Sequence, residues 1–92
     1  MSEASTLAAQ FVQAQAQVKT LTKAPATEEL LELYALYKQG DKGDVDGKRP
    51  GMLDIKGRAK YDAWSARHGM TREAAMEAYV VLVDRLAGAP PR

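Results

Sequence analysis

The stretch Tyr34–Trp64, YALYKQGDKGDVDGKRPGMLDIKGRAKYDAW, decides how the rest of the chain is read. Its opening sets Tyr34, Tyr37 and Lys38 at i, i+3 and i+4, which brings two rings and an ammonium to one face of a helix. Its close sets Lys56 and Lys60 four apart, with Trp64 one turn further along. Between them lies a glycine- and aspartate-rich loop ending in Arg49-Pro50-Gly51, a turn signal because proline presets φ and glycine accepts φ > 0. Rings beside converging amines suit a ligand with a flat base and phosphates. By spacing alone the plainer reading is core tyrosines with hydroxyls at water and a solvated lysine face.

The loop fits neither of two familiar loop chemistries. An EF-hand needs oxygen ligands at alternate positions and a glutamate at the twelfth. Counting from Asp41, Gly43 and Val45 fall where ligands belong; counting from Asp44, the twelfth residue is Ile55. A phosphate-cradling P-loop needs four residues between its glycines and a hydroxyl after its lysine. Gly43 and Gly47 enclose three residues, and Arg49 follows Lys48. The loop is therefore read as a connector between helices.

Working outward, Leu7, Phe11, Ala14, Val18 and Leu21 form an amphipathic stripe that predicts a first helix over 5–21, capped by Ser5 or Thr6. Lys19 falls near its end, where a cation suits the helix dipole. Pro25 marks a connector, and Thr27 followed by Glu28 and Glu29 predicts an N-cap and a second helix over 28–39, stopped by Gly40. Leu30, Leu33, Tyr34 and Tyr37 form one stripe on it and Leu31, Ala35 and Lys38 its neighbour, so this helix faces both a core and a groove. Asp54 predicts the start of a third helix over 55–68, ended by Gly69, with Tyr61, Trp64 and His68 on one face. Thr71 opens a fourth over 72–87, with Ala75, Met76, Tyr79, Val80, Val83 and Leu86 at helical spacing. Residues 88–92 read as a frayed tail. No period-two run appears. The expectation is an all-α four-helix bundle, one domain over 1–92 with its ordered core from 5 to 87.

Composition narrows the function. The chain has 92 residues and a net charge of only +1, too little basic excess for a broad nucleic-acid interface. It has no cysteine, which removes disulfides, thiolate metal sites and a thiol nucleophile. The start, MSEASTLAAQFVQ, carries no secretory signal, and no apolar run is long enough to span a bilayer; the expected address is cytoplasmic. His68 is the lone imidazole, sits beside a helix-ending glycine, and has no visible third partner to make a triad with Ser65. No catalytic residue and no metal site is expected.

Tyr-x-x-Tyr-Lys-Gln, followed by Arg-Pro-Gly-Met-Leu-Asp-x-Lys-Gly-x-Ala-Lys-x-Asp-Ala-Trp, resembles the acyl-CoA-binding protein family, from roughly Phe11 to Leu86. The resemblance implies a four-helix bundle that holds long-chain fatty acyl-CoA in a surface groove, performs no chemistry on it, needs no cofactor, and buffers or transports it as a monomer. It implies that adenine packs on Tyr37, beside Tyr34, and that the 3′-phosphate is held by Lys38 and Lys60. Lys19, Lys56 and Tyr79 match further ligand-contacting positions, and Phe11, Leu30 and Leu31 an acyl-chain groove. Partners would be the ligand and, transiently, enzymes that use it, with no stable membrane insertion. The chain departs from the family in having Tyr61 where a first tryptophan is common, and Asp84-Arg-Leu-Ala-Gly where the fourth helix often ends in lysines. Two rivals predict otherwise: a groove for an amphipathic helix would ignore CoA thioesters, and a nucleic-acid binder would show a steep salt slope.

Overall fold

The structure, a computed structural model, describes residues 6–88. Four helices follow in order, α1 Leu7–Val18, α2 Thr27–Lys42, α3 Ile55–Ser65 and α4 Arg72–Ala87, with no strand among the described residues. The fold is all-α, as the periodicity predicts. Helix α2 is central, packed on α4 and on α3, while α1 packs on α4. The core is made by Phe11 and Ala14 of α1, Leu33 and Leu36 of α2, and Tyr79, Val80, Leu82 and Val83 of α4. Leu36 and Val83 are fully buried, a gain of about 1.5–3 kcal/mol each.

Three caps fall where the hydroxyl and carboxylate signals put them. Thr6 Oγ1 accepts from Ala9 N–H at 3.1 Å, Asp54 Oδ1 from Gly57 N–H at 3.0 Å, and Thr71 Oγ1 from Ala74 N–H at 3.0 Å. Ser5 and the expected frayed residues 89–92 lie outside the described residues.

Four boundaries differ from expectation, each with a local cause. Helix α1 stops at Val18 instead of 21 because the Thr20 hydroxyl and N–H both go to the Gln17 carbonyl, at 2.8 and 2.9 Å. Helix α2 begins at Thr27, so Ala26 takes the cap position; Glu29 Oε1 accepts from Ala26 N–H at 2.8 Å, half of a capping box with no hydroxyl opposite. Gly40 does not stop α2, which continues to Lys42 and ends at Gly43, φ 90°. Gly40 is buried where a Cβ would stand 3.0 Å from Phe11 Cζ and 3.2 Å from Met76 Cγ, so its missing side chain serves packing. Helix α3 ends at Ser65, which takes His68 off it; the turn tightens through Arg67 and His68 to Gly69, whose N–H goes to Asp44 Oδ1 at 2.8 Å.

Asp44 and Gln39 pin the loop after α2 to the turn before α4. Buried Gln39 donates from Nε2 to Asp44 Oδ1 at 2.9 Å and to the Met70 carbonyl at 2.8 Å, which settles the amide's orientation. Its Oε1 is buried without a hydrogen-bond partner. Arg72 Nε donates to the Gly40 carbonyl at 3.1 Å. Further along, Arg49 grips Asp62 with two bonds of 2.9 and 2.7 Å, and Tyr61 Oη donates to the Gly47 carbonyl at 3.0 Å. The glycine-rich loop is thus tied down at both ends.

These bonds set an acid dependence. The Gly69 N–H, then the Gln39 amide, hold the Asp44 carboxyl below its ordinary value, with a smaller pull from His68; the Arg49 bond lowers Asp62 likewise. A depressed folded pKa stabilises above the unfolded value, near ~4, and that contribution is lost as pH falls through the lowered folded value. Asp44→Asn should therefore lower the melting temperature at neutral pH and flatten its fall on acidification, as thermal melts across an acid series would read. A variant with the parent's slope would remove Asp44 from this account.

Candidate functional site

Burial varies along the α2 stripe of Leu30, Leu33, Tyr34 and Tyr37. Leu33 is buried, Tyr34 and Tyr37 half-buried, and Leu30 exposed. Tyr34 and Tyr37, with Leu30 and Leu33, line a cavity of about 320 Å³ completed by Val18 of α1, Pro25 of the connector and Tyr79 of α4. Its wall is mostly hydrocarbon and ring. That volume is at the low end for ligand sites (~300–1,000 Å³), enough to cover part of a long amphiphile and leave the remainder on the surface.

Three rings make the floor rigid. Phe11 stacks against Tyr37 with centroids 6.1 Å apart and meets Tyr79 edge-on at 5.3 Å, while Tyr37 and Tyr79 stand 6.4 Å apart. Burial, and secondarily Tyr37, pushes the Tyr79 phenol above its ordinary value, so it stays a neutral donor at physiological pH.

The amines come from two helices. Lys60 of α3 holds its ammonium 5.4 Å from the Tyr34 ring centroid of α2. Lys38 of α2 holds its own 4.9 Å from the Trp64 ring of α3. Because 34/38 and 60/64 are each one turn apart, the two helices exchange cation–π contacts one turn apart. Trp64 is itself fixed, buried with Nε1 donating to the Gly43 carbonyl at 2.8 Å. Tyr37 lines the same cavity as Tyr34, and Lys60 lies over the Tyr34 ring; Lys38 stands one turn along.

The other residues named from the sequence take varied places. Lys19 is exposed at the C-cap of α1, next to cavity-lining Val18, and Lys56 is exposed one turn before Lys60. Phe11 is in the core beneath Tyr37 and Tyr79, and half-buried Leu31 does not line the cavity. Val18, Pro25 and Leu33 line it without having been named. Leu33 was visible in the Leu30–Tyr37 stripe and Val18 in that of α1; Pro25 carried no signal beyond the connector. A larger cavity, about 450 Å³, lies between the connector and the end of α4, lined by Lys23, Glu29 and Arg85 among others, but it has no ring. Among the described residues no group of three or more His, Asp or Glu side chains could hold a metal ion, and no helix is long and apolar enough to cross a membrane.

The sequence pattern of the acyl CoA binding protein family matches residues 8–83. The chain belongs to that family. An acyl-CoA-binding protein homolog from Caenorhabditis elegans is 50% identical over 76 residues, 83% of this chain and 88% of the relative. Among solved structures, Oryza sativa acyl-CoA-binding protein 2 superposes with a TM-score of 0.86 at 38% identity, covering 90% of this chain and 92% of that one. The yeast acyl coenzyme A binding protein gives 0.69 at 44% identity, over 85% and 91%. This family member therefore shares its bundle with its relatives as well as its motifs.

Proposed function

We propose that the protein binds long-chain fatty acyl-CoA without chemistry and, as a single-domain cytoplasmic monomer, carries or buffers it between the enzymes that make and use it. The observation that carries this reading is the ring-lined apolar cavity together with the Lys60 ammonium over Tyr34, one of its lining rings. The adenine would pack on Tyr37, backed by Phe11, for roughly 1–3 kcal/mol. Lys60 and Lys38 would leave their ring partners for the 3′-phosphate, each charge-assisted bond contributing about 1.5–3 kcal/mol. Lys56 and Lys19 would meet the remaining polar groups, and Tyr79 would donate its hydroxyl. Leu30, with Val18 and Leu33, would cover the chain at about 0.8 kcal/mol per buried methylene. Headgroup contacts orient the ligand; hydrocarbon burial gives the preference for long chains.

Titration of palmitoyl-CoA, CoA and palmitate separately, by heat or Trp64 fluorescence, tests this. Trp64 is a suitable reporter because departure of the Lys38 ammonium changes the field at its ring. The thioester should bind at least roughly a hundredfold more tightly than CoA, since four buried methylenes alone are worth ~3 kcal/mol, and at least roughly tenfold more tightly than palmitate, which lacks the base and the 3′-phosphate. Palmitate binding as tightly as the thioester would remove the nucleotide site.

A further inference from the structure

Residues 52–55 invert the usual partition of side chains. Met52 is 82% exposed, Leu53 98% and Ile55 76%, three large apolar groups within four positions. Single exposed apolar residues are ordinary; a contiguous group marks a contact surface. None of the three lines either cavity described above.

The tip is held out by a fixed base. Asp54 N–H bonds to the Gly51 carbonyl at 3.0 Å, and the Asp54 carboxylate caps α3. Behind it, the Arg49–Asp62 fork and the Tyr61–Gly47 bond tie the preceding loop to α3. Cations flank the tip, with Lys48 and Lys56 exposed on either side and Arg58 half-buried beyond. Three exposed carboxylates lie nearby: Asp54, within the tip, caps α3; Asp62 is paired with Arg49; and Asp46 lies in the preceding loop.

We propose that this loop is a reversible contact with an anionic lipid surface, Met52, Leu53 and Ile55 entering the boundary between headgroups and acyl chains while Lys48 and Lys56 meet lipid phosphates. The degree of exposure and the flanking charge favour this occupant. Side chains as exposed as these are scarcely covered by the rest of the chain, and a bilayer can deform around such groups. Their basic flanks complement negative headgroups over about a Debye length. Three side chains give weak docking, far short of insertion. The inference shares Lys56 with the acyl-CoA reading but rests on the apolar tip and Lys48, which that reading does not use, and it needs no ligand.

Co-sedimentation of the ligand-free protein with vesicles tests it. Binding should appear with mixed phosphatidylcholine–phosphatidylserine vesicles, fall with added salt, and be several-fold weaker with phosphatidylcholine alone. Met52→Ser with Leu53→Ser, at highly exposed positions, should cut binding about tenfold or more with an unchanged helical circular dichroism spectrum. Lys48→Glu should reduce binding to the anionic vesicles alone. Equal binding to both vesicle types, or full binding by the serine pair, would overturn the proposal. So would concentration-dependent self-association that the serine pair abolishes, since the occupant would then be a second copy of the chain.

Discussion

Replacing Gly40 by valine is expected to lower stability by about 1–3 kcal/mol and to weaken palmitoyl-CoA binding in the same variant. A Cβ at this position stands 3.0 Å from Phe11 Cζ, 3.4 Å from Phe11 Cε1 and 3.2 Å from Met76 Cγ. Methionine is flexible and can turn aside. Phe11 cannot, because Tyr37 and Tyr79 hold it. Alanine gains about 1 kcal/mol of helix propensity over glycine, which offsets its one tight contact and leaves it near neutral. Valine adds two methyl groups to the crowding and loses part of that gain. The second effect follows from the first: a displaced Phe11 no longer backs Tyr37, so the surface offered to the base moves with it. Denaturant unfolding and calorimetric titration of both variants would check the pair of outcomes. A valine variant as stable and as tight as the parent would mean that the ring yields freely and the floor of the site is soft.

The same residue shows what could be read from the sequence and what could not. Gly40 was expected to end α2 because glycine commonly follows a helix, and the ring that fills the missing side chain's space comes from Phe11, 29 positions away. Phe11 itself was assigned to a groove; a helical stripe says which residues face inward and is silent on whether a core or a ligand lies there. His68 was placed on α3 by period, but Asp44 draws off the Gly69 N–H and the helix closes early. What was legible were the local signals: the caps at Thr6, Asp54 and Thr71, the two-sided stripe of α2, the amines one turn apart. What was hidden were pairings between elements, such as Lys60 over Tyr34, Lys38 over Trp64, and Val18 with Pro25 closing the cavity. The motif resemblance supplied names for several of those positions without supplying their geometry.

Lys60→Ala should weaken palmitoyl-CoA roughly tenfold to a hundredfold, the equivalent of one charge-assisted bond of about 1.5–3 kcal/mol. The fold should survive, because the exposed contact with Tyr34 is worth only about 0.5–1 kcal/mol and Lys60 reaches no buried group. Loss of affinity alone does not say which group on the ligand the lysine meets. Palmitoyl-dephospho-CoA, which lacks the 3′-phosphate, separates the cases. If Lys60 holds that phosphate, the parent loses most of the same affinity on the dephospho ligand, and Lys60→Ala loses little more. If the lysine acts by holding the Tyr34 ring in place, both ligands suffer equally and the two losses add. Tyr37→Ala provides the contrast: stacking of the base is worth roughly 1–3 kcal/mol and should cost both thioesters alike. Raising the salt should shrink the Lys60→Ala effect while leaving the Tyr37→Ala effect nearly unchanged, because ions screen an exposed ammonium and not a buried ring face. A Lys60→Ala loss that is the same on both ligands, at every ionic strength, would take the 3′-phosphate away from this lysine.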